Sequence, residues 1–207
     1  MAASSGPAAA QRADVAALQK LQATSFYAGL ITRALAMEPP AVFTKCGTLQ
    51  AHGSTITIMR PLTFAGDGFP TQGVWKQNFP VSGCGNDTTL HFYFIATAQE
   101  KVNTMVGVPG DTHADPILQR DALTYARIGA GTQAHDCKNF DVTNTKFEQF
   151  GVAYPPMPDP GPATRLRPWW ETWTMEGCGR LFDVPMDFVP NATGTQIIQP
   201  VKRITLR

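Results

Sequence analysis

Two imidazole–carboxylate pairs stand out as possible metal ligands: His113 with Asp115, and His135 with Asp136, one on each side of a helical stretch. Imidazole nitrogens and carboxylate oxygens suit zinc or iron, and a single helix between the pairs gives them a way to approach each other. The spacing follows no known ligand pattern, and each residue has an ordinary duty open to it. Asp115 directly precedes Pro116, the order that caps a helix and starts its first turn. His113, His135 and Asp136 fall in loop-like sequence, so neither a metal nor a cofactor is expected. His135 also lies two residues before Cys137, and a thiolate beside a base is a nucleophile. A bonded Cys137 removes that chemistry. His91 interrupts an apolar run and is expected on the solvent face of a half-buried strand, with a ligand-pocket role as its alternative.

The aromatic and sulfur residues carry more information. Trp75, Trp169, Trp170 and Trp173 offer an aromatic platform for a partner or sugar. Trp75 and Trp169 are expected in the core. Trp170 and Trp173 are the candidates for a partner contact. Cys46, Cys84, Cys137 and Cys178 contain no Cys-x-x-Cys pair, which argues against a zinc ribbon or a thioredoxin-type site. An even set of spread cysteines reads as two disulfides in an oxidising compartment. No P-loop, dinucleotide fingerprint, nucleophile elbow or zinc-protease motif is present in the sequence.

Composition bounds the class. The chain has 207 residues, 43% of them apolar, which suffices for a core without metal help. Seventeen basic against 16 acidic residues leave a net charge of +1, giving no bulk electrostatic case for nucleic acid or anionic lipid. No apolar run approaches the ~18 residues of a membrane span. Charged residues are 16% of the chain, with 18 Gly and 17 Pro, and such a balance points to a loop-rich, β-rich fold with a lightly charged surface.

The elements that must position these residues show a repeat. Residues 75–96 and 169–190 align without a gap, matching Trp75/Trp169, Gly83/Gly177, Cys84/Cys178, Gly85/Gly179 and Phe94/Phe188. Leu90, Phe92, Phe94 and Ala96 alternate on one strand, and Phe182, Val184, Met186 and Phe188 on the other. A helix precedes each copy. The first covers about residues 12–37, with Ala17, Leu18, Leu21, Ala28, Ile31 and Leu35 as its stripe and Thr24 as a polar gap. The second follows Asp115, with Ile117, Leu118, Ala122, Tyr125 and Ile128 as its apolar side and Gly129 and Gly131 as a stop. Each copy therefore reads as helix, Cys-bearing strand, Trp-bearing strand, Gly-Cys-Gly turn and return strand. Residues 197–206 are expected to close the sheet, bent at Pro200.

The fold class expected is α+β: an internal duplication of an αβββ-like unit, with antiparallel sheets and helices on one face. Residues 1–10 would be a disordered tail, as at the start of a mature exported chain, 11–110 the first repeat and 111–207 the second, fused into one domain. Symmetry favours the bridges Cys46–Cys84 and Cys137–Cys178, each closing about forty residues and contributing about 3–4 kcal/mol. The Pro-rich run from Tyr154 to Pro162 reads as a stiff connector.

The strings ADPILQRDAL at 114–123, WWETWTMEGCG at 169–179 and VPMDFVPNATGT at 184–195 resemble small exported proteins of proteobacteria that have no assigned activity. The resemblance implies export and no catalytic residue. Together these readings predict a non-enzymatic periplasmic or secreted protein, an accessory subunit meeting an envelope protein or itself. The alternative is a carrier of an apolar ligand held between helix and sheet by Phe92, Phe94, Met186 and Phe188. A metal- or thiol-dependent enzyme ranks last.

Overall fold

The computed structural model describes residues 7–37, 50–83, 86–98, 101–151, 167–191 and 194–207. Cys46, Cys84 and the Pro-rich run lie outside them, and with them the expected Cys46–Cys84 bridge. The described residues form two compact units of the α+β class. The first takes residues up to 82 together with those from 89 to 107. The second takes 83, 86–88 and everything from 108 onward.

The first unit opens with α1 (Pro7–Gln22) and α2 (Ser25–Ala36). Pro7 followed by three alanines is a strong helix start, so the helix begins inside the segment expected to be disordered. Thr24, expected as a gap in one long helix, ends the first helix and begins the second. Its hydroxyl donates to the Leu21 carbonyl at 2.6 Å and accepts from the Tyr27 amide at 3.2 Å, an N-cap. The break shifts the buried stripe to Leu18, Leu21, Tyr27, Leu30 and Ala34, leaving Ala28 and Leu35 exposed.

Five antiparallel strands follow: β1 (Gln50–Ala51), β2 (Thr55–Phe64), β3 (Pro70–Gly83), β4 (Asn86–Thr97) and β5 (Lys101–Val106). The last four form a meander, and β1 pairs with β3 beyond the end of β2. Trp75 and Phe94 stack at 5.2 Å, with Tyr27 of α2 at 6.0 Å from Phe94. The expected alternation on β4 holds on the inner face. His91 departs from its expectation: it is buried, its Nδ1 2.7 Å from the Asn78 Oδ1 on the neighbouring strand, and Tyr93 is buried beside it. This strand is covered on both faces at these two positions, so its histidine is a partnered interior residue.

The second unit holds α3 (Pro116–Gln133) and a second five-stranded antiparallel sheet. Its strands are β6 (Asp141–Phe150), β7 (Trp169–Gly177), β8 (Arg180–Asn191), β9 (Gly194–Ile198) and β10 (Thr205–Leu206). A 3-10 turn at Val201–Arg203, after Pro200, separates the last two, as the bend at that proline predicts. Phe182, Val184, Met186 and Phe188 form the buried row, while Asp183 and Asp187 pair with Arg207 and Arg203 on the other face.

The helix over this sheet is turned away from the expected orientation. It buries Gln119, Ala122, Ala126, Gly129 and Ala130, while Ile117, Tyr125 and Ile128 are exposed. The sheet supplies most of the bulk, with Trp173, Met175, Phe182 and Met186, so the centre of the helix's inner side is made of small residues, with Leu118 and Leu123 packed at its flanks. Gly129 and Gly131 do not stop the helix. A Cβ on Gly129 would stand 1.7 Å from the Gln199 amide nitrogen, so the glycine admits that side chain.

Candidate functional site

The residues at the centre of the second unit gather around Glu171. It projects inward from β7 between Trp169 and Trp173 and is 1% exposed. Both indole N–H groups donate to it at 2.8 Å. The Thr112 hydroxyl reaches its two oxygens at 3.1 and 2.9 Å, and the His113 amide donates at 2.9 Å. A buried carboxylate is tolerated when its lone pairs are filled in this way. Gln119 completes the anchoring of residues 108–114, accepting from the Val108 amide at 3.0 Å and donating to the Ala114 carbonyl at 2.7 Å. The arrangement fixes the segment leading into α3. Nothing in it leaves an oxygen open toward solvent, so it is an internal clamp.

The metal candidates are spread among other duties. Asp115 accepts from the Ile117 and Leu118 amides at 2.8 and 3.0 Å, the cap its position before Pro116 predicts. The His113 ring lies 4.3 Å from Phe147 and 5.0 Å from Phe150. Asp136 pairs with Arg180 at 2.6 Å, and that hydrogen bond holds its carboxyl below the ordinary carboxylate range. His135 is exposed. Among the described residues no three His, Cys, Asp or Glu side chains are set to hold a metal ion.

Cys137 stands at disulfide distance from Cys178, with Cα atoms 5.8 Å apart. It lies in the loop between α3 and β6, where a strand was expected. Cys178 and Gly179 form the two-residue turn of the β7–β8 hairpin, with φ of 52° and 74°. Positive φ at both positions is what a type I′ turn requires, which explains the Gly but leaves Cys178 an uncommon occupant.

The partner candidates divide. Trp173 is fully buried and bonded to Glu171, so it cannot meet a partner; the inward pull of that carboxylate is the reason. Trp170 is half-buried on the opposite face, against Gly151, where a Cβ would stand 2.6 Å from its ring. Phe92, Phe94, Met186 and Phe188 are 0–2% exposed and packed, Phe92 near Phe79, Phe94 on Trp75 and Phe188 on Trp169. A ligand there would have to displace stacked rings.

Three surface features went unmarked in the sequence. The outer side of α3 carries Ile117 at 67%, Tyr125 at 46% and Ile128 at 60% exposure. In the second unit a polar groove of about 320 Å³ is lined by Thr88, Thr143, Asn144, Thr174, Glu176 and Leu181, among others. In the first unit a cleft of about 440 Å³ lies between α1 and β2, with Val15, Leu18, Ile56 and Ile58 on its walls. Sequence could have flagged Glu171, since Trp-x-Glu-x-Trp puts a charge on the face of two tryptophans. The exposed stripe could not be told from a core stripe by periodicity alone.

Compared with protein-family models, with curated proteins and with solved structures, the chain finds no match.

Proposed function

We propose that this chain is an exported, non-enzymatic protein that works by protein–protein contact through the outer side of α3. The carrying observation is the stripe of Ile117, Tyr125 and Ile128, exposed although the helix has a well-packed inner side. Arg120 and Arg127 flank it, and Asp121 falls within it, four residues from both Ile117 and Tyr125. Exposed apolar side chains interspersed with charge of both signs suit a protein interface. The Cys137–Cys178 pair supports an oxidising compartment, periplasmic or extracellular. The resemblance of residues 114–195 to exported proteobacterial proteins points the same way.

An ancestral duplication is part of this reading. Trp75 and Trp169, matched by the gapless alignment, each stack on the matched phenylalanine, at 5.2 and 4.9 Å. Gln77 and Glu171 also fall at equivalent positions, and both are buried acceptors: Gln77 from the Tyr27 hydroxyl, Glu171 from two indoles. Two copies of a small scaffold, each keeping one polar clamp under a helix, suit a protein that presents surfaces.

The test is capture from the envelope fraction of the source organism with the wild-type chain and with an Ile117→Glu/Ile128→Glu variant. The reading expects a partner, or a second copy seen by light scattering, that the variant loses while its thermal unfolding is unchanged. Equal capture by both chains, or a wild type that binds nothing and stays monomeric, overturns it. The cleft between α1 and β2 favours a second reading, an apolar-ligand carrier. Organic extraction of purified protein followed by mass spectrometry would reveal such a ligand.

A further inference from the structure

β5 (Lys101–Val106) closes one side of the first sheet, where only β4 pairs with it. The Gly107 amide donates to the His91 carbonyl at 2.8 Å, which fixes the phase of the ladder between the two strands. Successive residues of an antiparallel strand turn their backbone groups to opposite sides. The backbone groups of Lys101, Asn103 and Met105 therefore face β4, and those of Val102, Thr104 and Val106 turn outward. None of these outward N–H and C=O groups has a hydrogen-bond partner among the described residues.

The other edges are blunted. β2 carries three register shifts and Pro61, and β1 extends that side by only two residues. β6 has two register shifts, and its Thr145 carbonyl accepts from the Asp111 amide at 2.8 Å. Beside β8, a 3-10 turn after Pro200 divides the edge between β9 and the two-residue β10. Bulges, prolines, covering loops and short strands of this kind keep an edge from pairing with another chain. β5 has a regular six-residue register with β4, no proline or glycine, and a single charge, Lys101, at its first position. Valine and threonine hold the outward positions, and both favour extended pairing.

We infer that β5 pairs antiparallel with β5 of a second copy of this chain, joining the two first-unit sheets edge to edge about a twofold axis at Thr104. In that register Thr104 faces Thr104 of the other copy, and Val102 faces Val106. Every outward donor then meets an outward acceptor, and none is left over. The facing residues are all β-branched, valine against valine and threonine against threonine, which are favourable cross-strand neighbours. On the other side of the sheet Asn103 faces Met105. Lys101 falls opposite Gly107, so the two lysines stand at opposite ends of the pair. An isologous contact needs a surface that complements itself, and this register supplies it in backbone, side chains and charge together. The edge shares no residue with the outer side of α3.

The test is sedimentation equilibrium of the full oxidised chain up to roughly 1 mM, with amide hydrogen exchange at both ends of the concentration range. A contact of one strand pair is small and of the weak class, so reversible dimerisation is expected from about 100 µM upward. Exchange at Val102, Thr104 and Val106 should slow as concentration rises, while Asn103 and Met105, already paired with β4, should not change. Thr104→Pro removes the outward N–H at the axis and should weaken the dimer at least about tenfold, with the monomer unfolding near wild type. Thr104→Cys checks the register independently. Its two sulfurs meet at the axis, so mild oxidation should link the copies, and Asn103→Cys should not link them. Ile117→Glu/Ile128→Glu should leave the dimer intact. A dimer lost only with the α3 substitutions, one indifferent to Thr104→Pro, or exchange at the three amides that ignores concentration would overturn the inference. So would a chain that stays monomeric, whether bare or with those amides protected by an added alternating Thr-Val hexapeptide; protection would give the edge a different occupant.

Discussion

The indole of Trp173 donates to the Glu171 carboxylate at 2.8 Å, and both side chains are sealed from solvent. Four donor groups fill the carboxylate, so its removal strands donors of β7 and of the loop before α3 together. Glu171→Leu should therefore cost about 3 kcal/mol or more, because the Trp169 and Trp173 N–H groups and the Thr112 hydroxyl lose their acceptor in a dry site. Glu171→Gln keeps one acceptor oxygen and should cost less. Denaturant unfolding followed by tryptophan fluorescence gives both values; a Leu variant as stable as wild type would remove the clamp from this account.

The Cys137–Cys178 pair encloses 41 residues of sequence separation. In the chain-entropy description a link of that span contributes about 4 kcal/mol, less any native strain. Cys178→Ala, or reduction of the wild type, should lower the stability of the second unit by about 3–4 kcal/mol. Peptide mapping without reductant should recover the two cysteines on one linked pair.

Gly110 sits at φ +103° with the backbone of Thr145 against it, so that a Cβ would lie 2.1 Å from the carbonyl oxygen and 2.4 Å from the nitrogen. Backbone atoms cannot move aside as a flexible side chain can. Gly110→Ala should cost more than about 3 kcal/mol, whereas Gly179→Ala, also at positive φ but in open space, should cost only about 1 kcal/mol. Similar costs for both variants, by thermal or denaturant unfolding, would contradict the close approach.

Tyr27 is buried beneath α2, and burial pushes its phenol from 10.0 up to about 12, with the Trp75 indole hydrogen bond opposing the shift slightly. A raised folded value means the neutral phenol is favoured in the native state. Its contribution is complete below pH 10 and falls away as pH rises through about 12. Alkaline unfolding of the first unit in that window should follow, with delayed tyrosinate absorbance from Tyr27. Tyr27→Phe should remove the delayed step and cost about 1 kcal/mol through the lost bond to Gln77.

How far the fold could be read from sequence depended on the range of the forces involved. The Asp115–Pro116 cap was legible because it involves only neighbouring residues, and the Phe182 to Phe188 alternation because a strand's two faces are fixed by its pleat. The orientation of α3 was not. Ile117, Tyr125 and Ile128 are more hydrophobic than Ala122, Ala126 and Ala130, yet the bulk of Trp173 and Met186 decides which set fits, and that bulk comes from distant sequence. Thr24 looked like a flaw in a long helix until its hydroxyl was seen to bond on both sides. Trp173 is a natural candidate for a partner contact by residue type alone, but Glu171 two residues away draws it inward. The groove was invisible for a related reason: Asn144, Thr174, Glu176 and Leu181 become neighbours only across strands.

The sulfur pair that joins the loop before β6 to the β7–β8 hairpin also makes a covalent ring that includes β6 and β7. A protease cutting any peptide bond inside that ring would nick the chain without releasing a piece. The two fragments would migrate as one species on a gel until reductant is added, so a single cut there leaves the unit's covalent continuity intact.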